Sequence, residues 1–146
     1  MAGHQEELLS MVAQSSEAKD YKARLLCIDN DGPALELRTS VLEAEGYRVF
    51  AALGGEAAVK MFVLEQIDLV LSGLVFPGVS GAELSIFMRQ VRPEVPVVLV
   101  SRLEKVPAAL LRQVDGCVQH SASTEDLLAC IEEVLGRRTE DEQSGA

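Results

Sequence analysis

The stretch Asp68-Leu69-Val70-Leu71-Ser72-Gly73-Leu74-Val75-Phe76-Pro77-Gly78 decides the fold. An acidic residue leads into an apolar run that ends at a glycine, and a Pro-Gly turn follows. A short continuous apolar run bounded by turn residues is the pattern of a strand covered on both faces, as at the centre of a parallel sheet. The loop after such a strand is where open parallel sheets place their ligands and their chemistry. The residue at the start of that loop therefore governs the functional reading, and here it is Gly73.

Working outward, the same rhythm recurs. Leu25-Leu26-Cys27-Ile28 is a first buried strand, ending at Asp29-Asn30-Asp31-Gly32. Pro33 suits the first turn of a helix, with Leu35, Leu37, Val41, Leu42 and Ala44 as its apolar side and Gly46 as its stop. Tyr47 to Ala52 predicts a second strand, broken at Gly54-Gly55, and Glu56 to Gln66 a second helix. After the third strand and the Pro77–Gly81 loop, Leu84, Phe87, Met88 and Val91 mark a third helix. Pro93 and Pro96 bracket the turn into a fourth strand, Val97 to Val100. A short helix over 104–113, with Pro107 near its start, and a fifth strand at Cys117-Val118-Gln119 follow. Ser123 and Asp126 suit a capping box for a last helix lined by Leu127, Leu128, Ile131, Val134 and Leu135.

Five strands alternating with five helices predict an α/β fold, a flavodoxin-like doubly wound five-stranded parallel sheet of order 2-1-3-4-5 in three α/β/α layers. The expected organisation is an N-terminal extension over residues 1–22 (a weak helix from His4 to Gln14, then a linker), one domain over 23–138, and a polar, frayed tail over 139–146. Arg137-Arg138 would then sit favourably at a helix C-terminus.

Composition narrows the function. The 146 residues carry 48% hydrophobic side chains, enough for a core, and a net charge of −10. Nucleic-acid surfaces need Lys and Arg to neutralise phosphates, so no nucleic-acid partner is expected. No run approaches the ~20 apolar residues that span a bilayer, and the polar N-terminus is neither a secretory signal nor a transit peptide; no membrane association and a cytoplasmic location are expected. Cys27, Cys117 and Cys130 are odd in number and form no C-x-x-C pair, as expected of thiols in a reducing compartment.

Taken together, the chain over about residues 23–137 resembles the receiver domain of bacterial two-component response regulators. The resemblance rests on Asp29-Asn30-Asp31 after the first strand, Pro77-Gly78-x-x-Gly81, Pro96 before a fourth strand ending at Ser101, and Val114-Asp115-Gly116 before the fifth. It implies a pocket in which an Asp at the end of strand three accepts a phosphoryl group. Two acidic residues after strand one help hold Mg²⁺, and a hydroxyl after strand four and a Lys after strand five bind the phosphate. An aromatic residue on strand five acts as a switch. Such chemistry needs a metal and a fixed cation against the charge on the transferred oxygens.

Residue by residue, this chain departs from that pattern. The acceptor position holds Gly73, the second acidic position Asn30, the Lys position His120 and the switch position Cys117; Asp29, Asp31 and Ser101 remain, and Arg102 follows where a small residue is usual. Glycine offers no nucleophile, one carboxylate for a metal is missing, and an imidazole replaces an obligate cation. Asp29, Asn30, Asp31, Gly73, Ser101 and His120 are read as a remnant pocket, with no catalytic residue, no metal and no cofactor. Ser72 should face away from it. His120 reads as a hydrogen-bonded loop residue, with a weak metal site as the alternative. Asp29 and Asp31 also suit capping of the first helix.

The function expected is a pseudo-receiver, a signalling module that binds proteins without phosphorylation and is not an enzyme. Partners would be a kinase, a phosphotransfer protein, another regulator or a second copy. They would meet residues 104–137, where Lys105, Arg112 and Glu125, with Arg102 beside them, are candidate contacts. Two alternatives stand beside it: a small-molecule or anion sensor using the vacated crevice, and an ordinary phosphorylatable regulator.

Overall fold

The computed structural model describes residues 20–73, 75–76 and 79–144. The expected helix over 4–14 and the Pro77-Gly78 turn lie outside the described residues. Five strands form one parallel sheet: β1 (Arg24–Asp29), β2 (Arg48–Leu53), β3 (Leu69–Ser72), β6 (Val97–Ser101) and β7 (Gly116–Gln119). Their order is β2-β1-β3-β6-β7, which is 2-1-3-4-5 when the strands of this sheet alone are counted. The doubly wound, flavodoxin-like fold is as expected.

Alternation along each strand builds two cores, one on each face. Leu25, Cys27, Leu69, Leu71 and Val98 face α1 (Gly32–Ala44) and α5 (Thr124–Ser144), meeting Leu35, Leu42, Ile131 and Val134. Leu26, Ile28, Val70 and Val97 face α2 (Gly55–Leu64) and α3 (Gly81–Val91), meeting Ala58, Phe62, Leu84 and Met88. This two-sided coverage is why the strands read as continuous apolar runs. Cys27 is fully buried at the centre of β1, whereas Cys117 and Cys130 are half-buried. Gly116 allows α5 to lie close on β7, since a Cβ there would come within 3.1 Å of Cys130 Sγ and 3.2 Å of Val134.

Four details differ from the sequence reading. On α1 the stripe facing the sheet runs through Leu35 and Leu42, and Leu37 is 68% exposed. The helix expected over 104–113 is a single turn, α4 (Ala108–Leu111), with no buried residue. Pro107 accounts for its start, because proline lacks an N–H and disfavours helical backbone before it. The last helix continues through Thr139 to Ser144, where a tail was expected; no Gly or Pro interrupts that stretch. Finally, two short strands, β4 (Val75–Phe76) and β5 (Val79–Ser80), pair antiparallel beside the sheet, where a loop was expected.

Candidate functional site

The carboxyl ends of β1, β3, β6 and β7 converge on a cavity of about 300 Å³, lined by Asp29, Asn30, Gly73, Val100, Arg102, Leu103 and His120. Four of the six remnant-pocket residues therefore meet as the sequence suggested, joined by Arg102. Asp31 and Ser101 are engaged elsewhere, each for a reason of local chemistry.

Asp29 ends β1 and is buried. Its Oδ1 accepts the Asp31 N–H at 2.9 Å, and its Oδ2 faces Arg38 Nη1 at 3.3 Å, with both side chains less than a tenth exposed. A carboxylate withdrawn from water must be paired and hydrogen-bonded, and Arg38 supplies that partner from α1. Sequence reasoning missed Arg38. The signal was present, because a charged residue interrupts the apolar stripe between Leu35 and Leu42 at helical spacing.

Asp31 is the N-cap of α1. Its Oδ1 accepts the Ala34 N–H at 3.2 Å, and its Oδ2 faces Arg102 Nη2 at 3.3 Å. Both members of that second pair are substantially exposed, so it contributes little stability. Ser101 is fully buried and its hydroxyl serves its own loop: Oγ accepts the Leu103 N–H at 2.9 Å and donates to the Leu103 carbonyl at 3.3 Å. Gln119 Nε2 donates to the same carbonyl at 2.9 Å.

Gly73 continues the ladder between β1 and β3, its N–H donating to the Ile28 carbonyl at 3.1 Å. Ser72 is buried, donates its hydroxyl to the Gly73 carbonyl and does not line the cavity, as strand alternation requires. The His120 N–H donates to the Ser101 carbonyl at 2.6 Å, but the ring Nε2 is enclosed without a hydrogen-bond partner. His120 thus stands in the turn after β7, hydrogen-bonded through its backbone, and lines the hollow. Cys117 lies on β7 outside the cavity lining, its thiol held above the ordinary range by burial.

Mg²⁺ takes hard oxygens in near-octahedral array, and the residues here do not fit it. Both Asp29 oxygens and both Asp31 oxygens have partners, Asn30 is neutral, and Gly73 has no side chain. Among the described residues, no group of three or more His, Cys, Asp or Glu side chains is gathered for a metal.

Of the candidate contact residues, Arg102 is tied to Asp31 at the crevice, while Lys105, Arg112 and Glu125 are exposed. Arg137 and Arg138 lie inside α5 instead of at its end: Arg137 Nη2 donates to the Asp115 carbonyl at 3.0 Å, and Arg138 pairs with Asp68 at 3.2 Å. Hollows of about 280 and 430 Å³ lie at the opposite, amino ends of the strands, bordered by these arginines and their acidic partners. No helix among the described residues is long and apolar enough to cross a membrane.

Comparison with known proteins agrees with this architecture. A family model described as the response regulator receiver domain matches residues 25–132. The transcriptional regulatory protein GlrR of Escherichia coli (strain K12) is 32% identical over 88 residues, covering 60% of this chain and 20% of that protein. The chain thus spans about a fifth of the length of the curated relatives it matches. A CheY-like receiver domain protein from Methanospirillum hungatei JF-1 superposes with a TM-score of 0.75 at 23% identity, over 82% of this chain and 98% of that one. The response regulator protein TrrA from Thermotoga maritima, solved in complex with Mg(2+)-BeF, gives 0.72 at 26% identity, over 77% and 98%. NtrX from Brucella abortus, solved in complex with ATP, gives 0.80 at 19% identity, over 84% of this chain and 29% of that one.

Proposed function

Because the chain belongs to the response regulator receiver domain family, we propose that it is a two-component-type signalling module, one receiver domain over residues 23–138, that works by protein association without phosphorylation. The observation carrying this reading is Gly73. It follows β3 at the carboxyl edge and lines the crevice beside Asp29, Asn30 and His120, so the position where the family's acceptor carboxylate would stand has no side chain. The Arg38–Asp29 pair supports it further, since the remaining acidic residue already has a cation. No enzymatic activity is proposed. Partners would be a kinase, a phosphotransfer protein, another regulator or a second copy, meeting the exposed Lys105, Arg112 and Glu125.

The test is intact-mass spectrometry after treatment with acetyl phosphate and Mg²⁺. No phosphoryl adduct is expected on the chain or on its Gly73→Asp variant, because Asn30, His120 and the Arg38-paired Asp29 remain. A stoichiometric adduct on the unmodified chain would sink the reading and favour an ordinary phosphorylatable regulator.

A further inference from the structure

The geometry points to the crevice as a binding site for a small, uncharged, planar molecule with an apolar body and a hydrogen-bonding edge. This rests on the reading that the crevice is not phosphorylated, and it names what the same space holds instead.

Size sets the first limit. The hollow measures about 300 Å³, at the lower end of small-molecule pockets and roughly twice the ~150 Å³ that accommodates a benzene ring. One ring or two fused rings fit. Place sets the second, because the hollow lies outside the carboxyl ends of the strands, beside β1 and β3, where the chain order of the sheet reverses.

Charge sets the third. Each acidic group at the crevice has its own guanidinium: Arg38 on Asp29, Arg102 on Asp31. A cation would have to draw Asp29 from a buried pair, and removing one partner of such a pair is costly. An anion would meet the Asp29 carboxylate as well as the Arg102 guanidinium in the lining. A neutral molecule disturbs neither pair.

The lining sets the fourth. Val100 and Leu103 supply apolar wall, and Leu103 is 49% exposed, so an occupant would cover it. Asn30 offers a carboxamide that both donates and accepts. His120 completes the lining beside them. Planar nitrogen heterocycles and aromatic amides combine these features.

The experiment is an NMR titration of the ¹⁵N-labelled full chain, without Mg²⁺ or phosphate, using benzamide and benzimidazole as neutral probes and benzoate and benzylammonium as charged counterparts. Saturable shifts of the Gly73, Leu103 and His120 amides are expected with the neutral probes. The charged counterparts should bind about tenfold more weakly or not at all. Leu103→Ala and Asn30→Ala, both at exposed positions, should keep the folded spectrum and weaken binding about fivefold each. The proposal is overturned if neither neutral probe gives saturable shifts at millimolar concentration, if benzoate matches benzamide, or if both variants bind unchanged. A failed titration leaves the phosphorylation-independent reading standing, since the acetyl phosphate experiment decides that separately.

Discussion

The two ends of the sheet use the same side chains to opposite effect. At the amino end, Asp68 precedes β3 and Asp115 precedes β7, and each ties its strand to the first residue of a neighbour. The Asp68 N–H donates to the Arg24 carbonyl at 2.8 Å, while its Oδ2 accepts the Arg24 N–H at 2.8 Å. The Asp115 N–H donates to the Val97 carbonyl at 2.8 Å, while its Oδ2 accepts the Val97 N–H at 2.9 Å. Arginines then close over both: Arg138 on Asp68, Arg89 and Arg137 on Asp115. At the carboxyl end, Asp29 joins no strand to another through its side chain. It is matched by a buried arginine and faces a hollow. Aspartate–arginine pairs thus fasten backbone at one edge and neutralise a cavity at the other. The edge that family chemistry would use is the one left open.

The largest break in this comparison should come from Arg38→Met. It keeps much of the side chain's bulk and leaves Asp29 as a buried charge without its partner, so a loss of about 3 kcal/mol is expected in chemical denaturation. Adding Asp29→Asn to that variant should recover most of the loss; no recovery would mean that Arg38 acts through packing instead of charge. Next comes Gly54→Ala, at the same edge, where the glycine N–H donates to the Asp29 carbonyl. Its backbone lies at φ 97°, ψ 170°, and a Cβ would meet nothing within 4 Å. The expected cost, about 2 kcal/mol, is therefore backbone strain alone, and a thermally neutral variant would contradict that geometry.

A smaller effect belongs to the amino edge. Asp115→Ala should cost about 1 kcal/mol, because the carboxylate is partly exposed but leaves the Val97 N–H unmatched. Hydrogen exchange should quicken at Val97 before it does at Asp29's end of the sheet. The smallest effect expected is that of Mg²⁺: millimolar MgCl₂ against EDTA should move the melting temperature by less than about 1 °C, since a ligand stabilises only a fold that binds it. A saturable rise would show that the carboxyl edge still accepts a divalent cation.

Much of this was legible in the sequence. Continuous apolar runs at Leu25–Ile28, Leu69–Leu71 and Val97–Val100, punctuated by Gly and Pro, specify strands covered on both faces, and the crossover rules leave few orders for five of them. Asp29, Asn30, Gly73 and His120 were legible as a group through the resemblance to receiver domains, and they meet because strand ends in a parallel sheet gather at one edge. Arg38 was missed, because an apolar side drawn broadly enough to include Leu37 and Ala44 hides the narrower stripe through Leu35 and Leu42 on which Arg38 lies. The turn of Ser101 into its own loop was also hidden, since a hydroxyl beside a loop amide has no sequence signature. Leu37 was misplaced because its hydrophobicity was weighed without its angle around the helix.

The complete burial of Cys27 has a consequence in proton linkage. Burial pushes its thiol from the ordinary 9.0 up to about 12, so the folded chain holds a proton that the unfolded chain releases. Below about pH 9 both states keep it, and its contribution to stability is fully present. As the pH rises from 9 towards 12 the unfolded state gains thiolate and the folded state does not, draining on the order of 1 kcal/mol per pH unit. Over that range unfolding is also a deprotonation, centred between the two layers of helices.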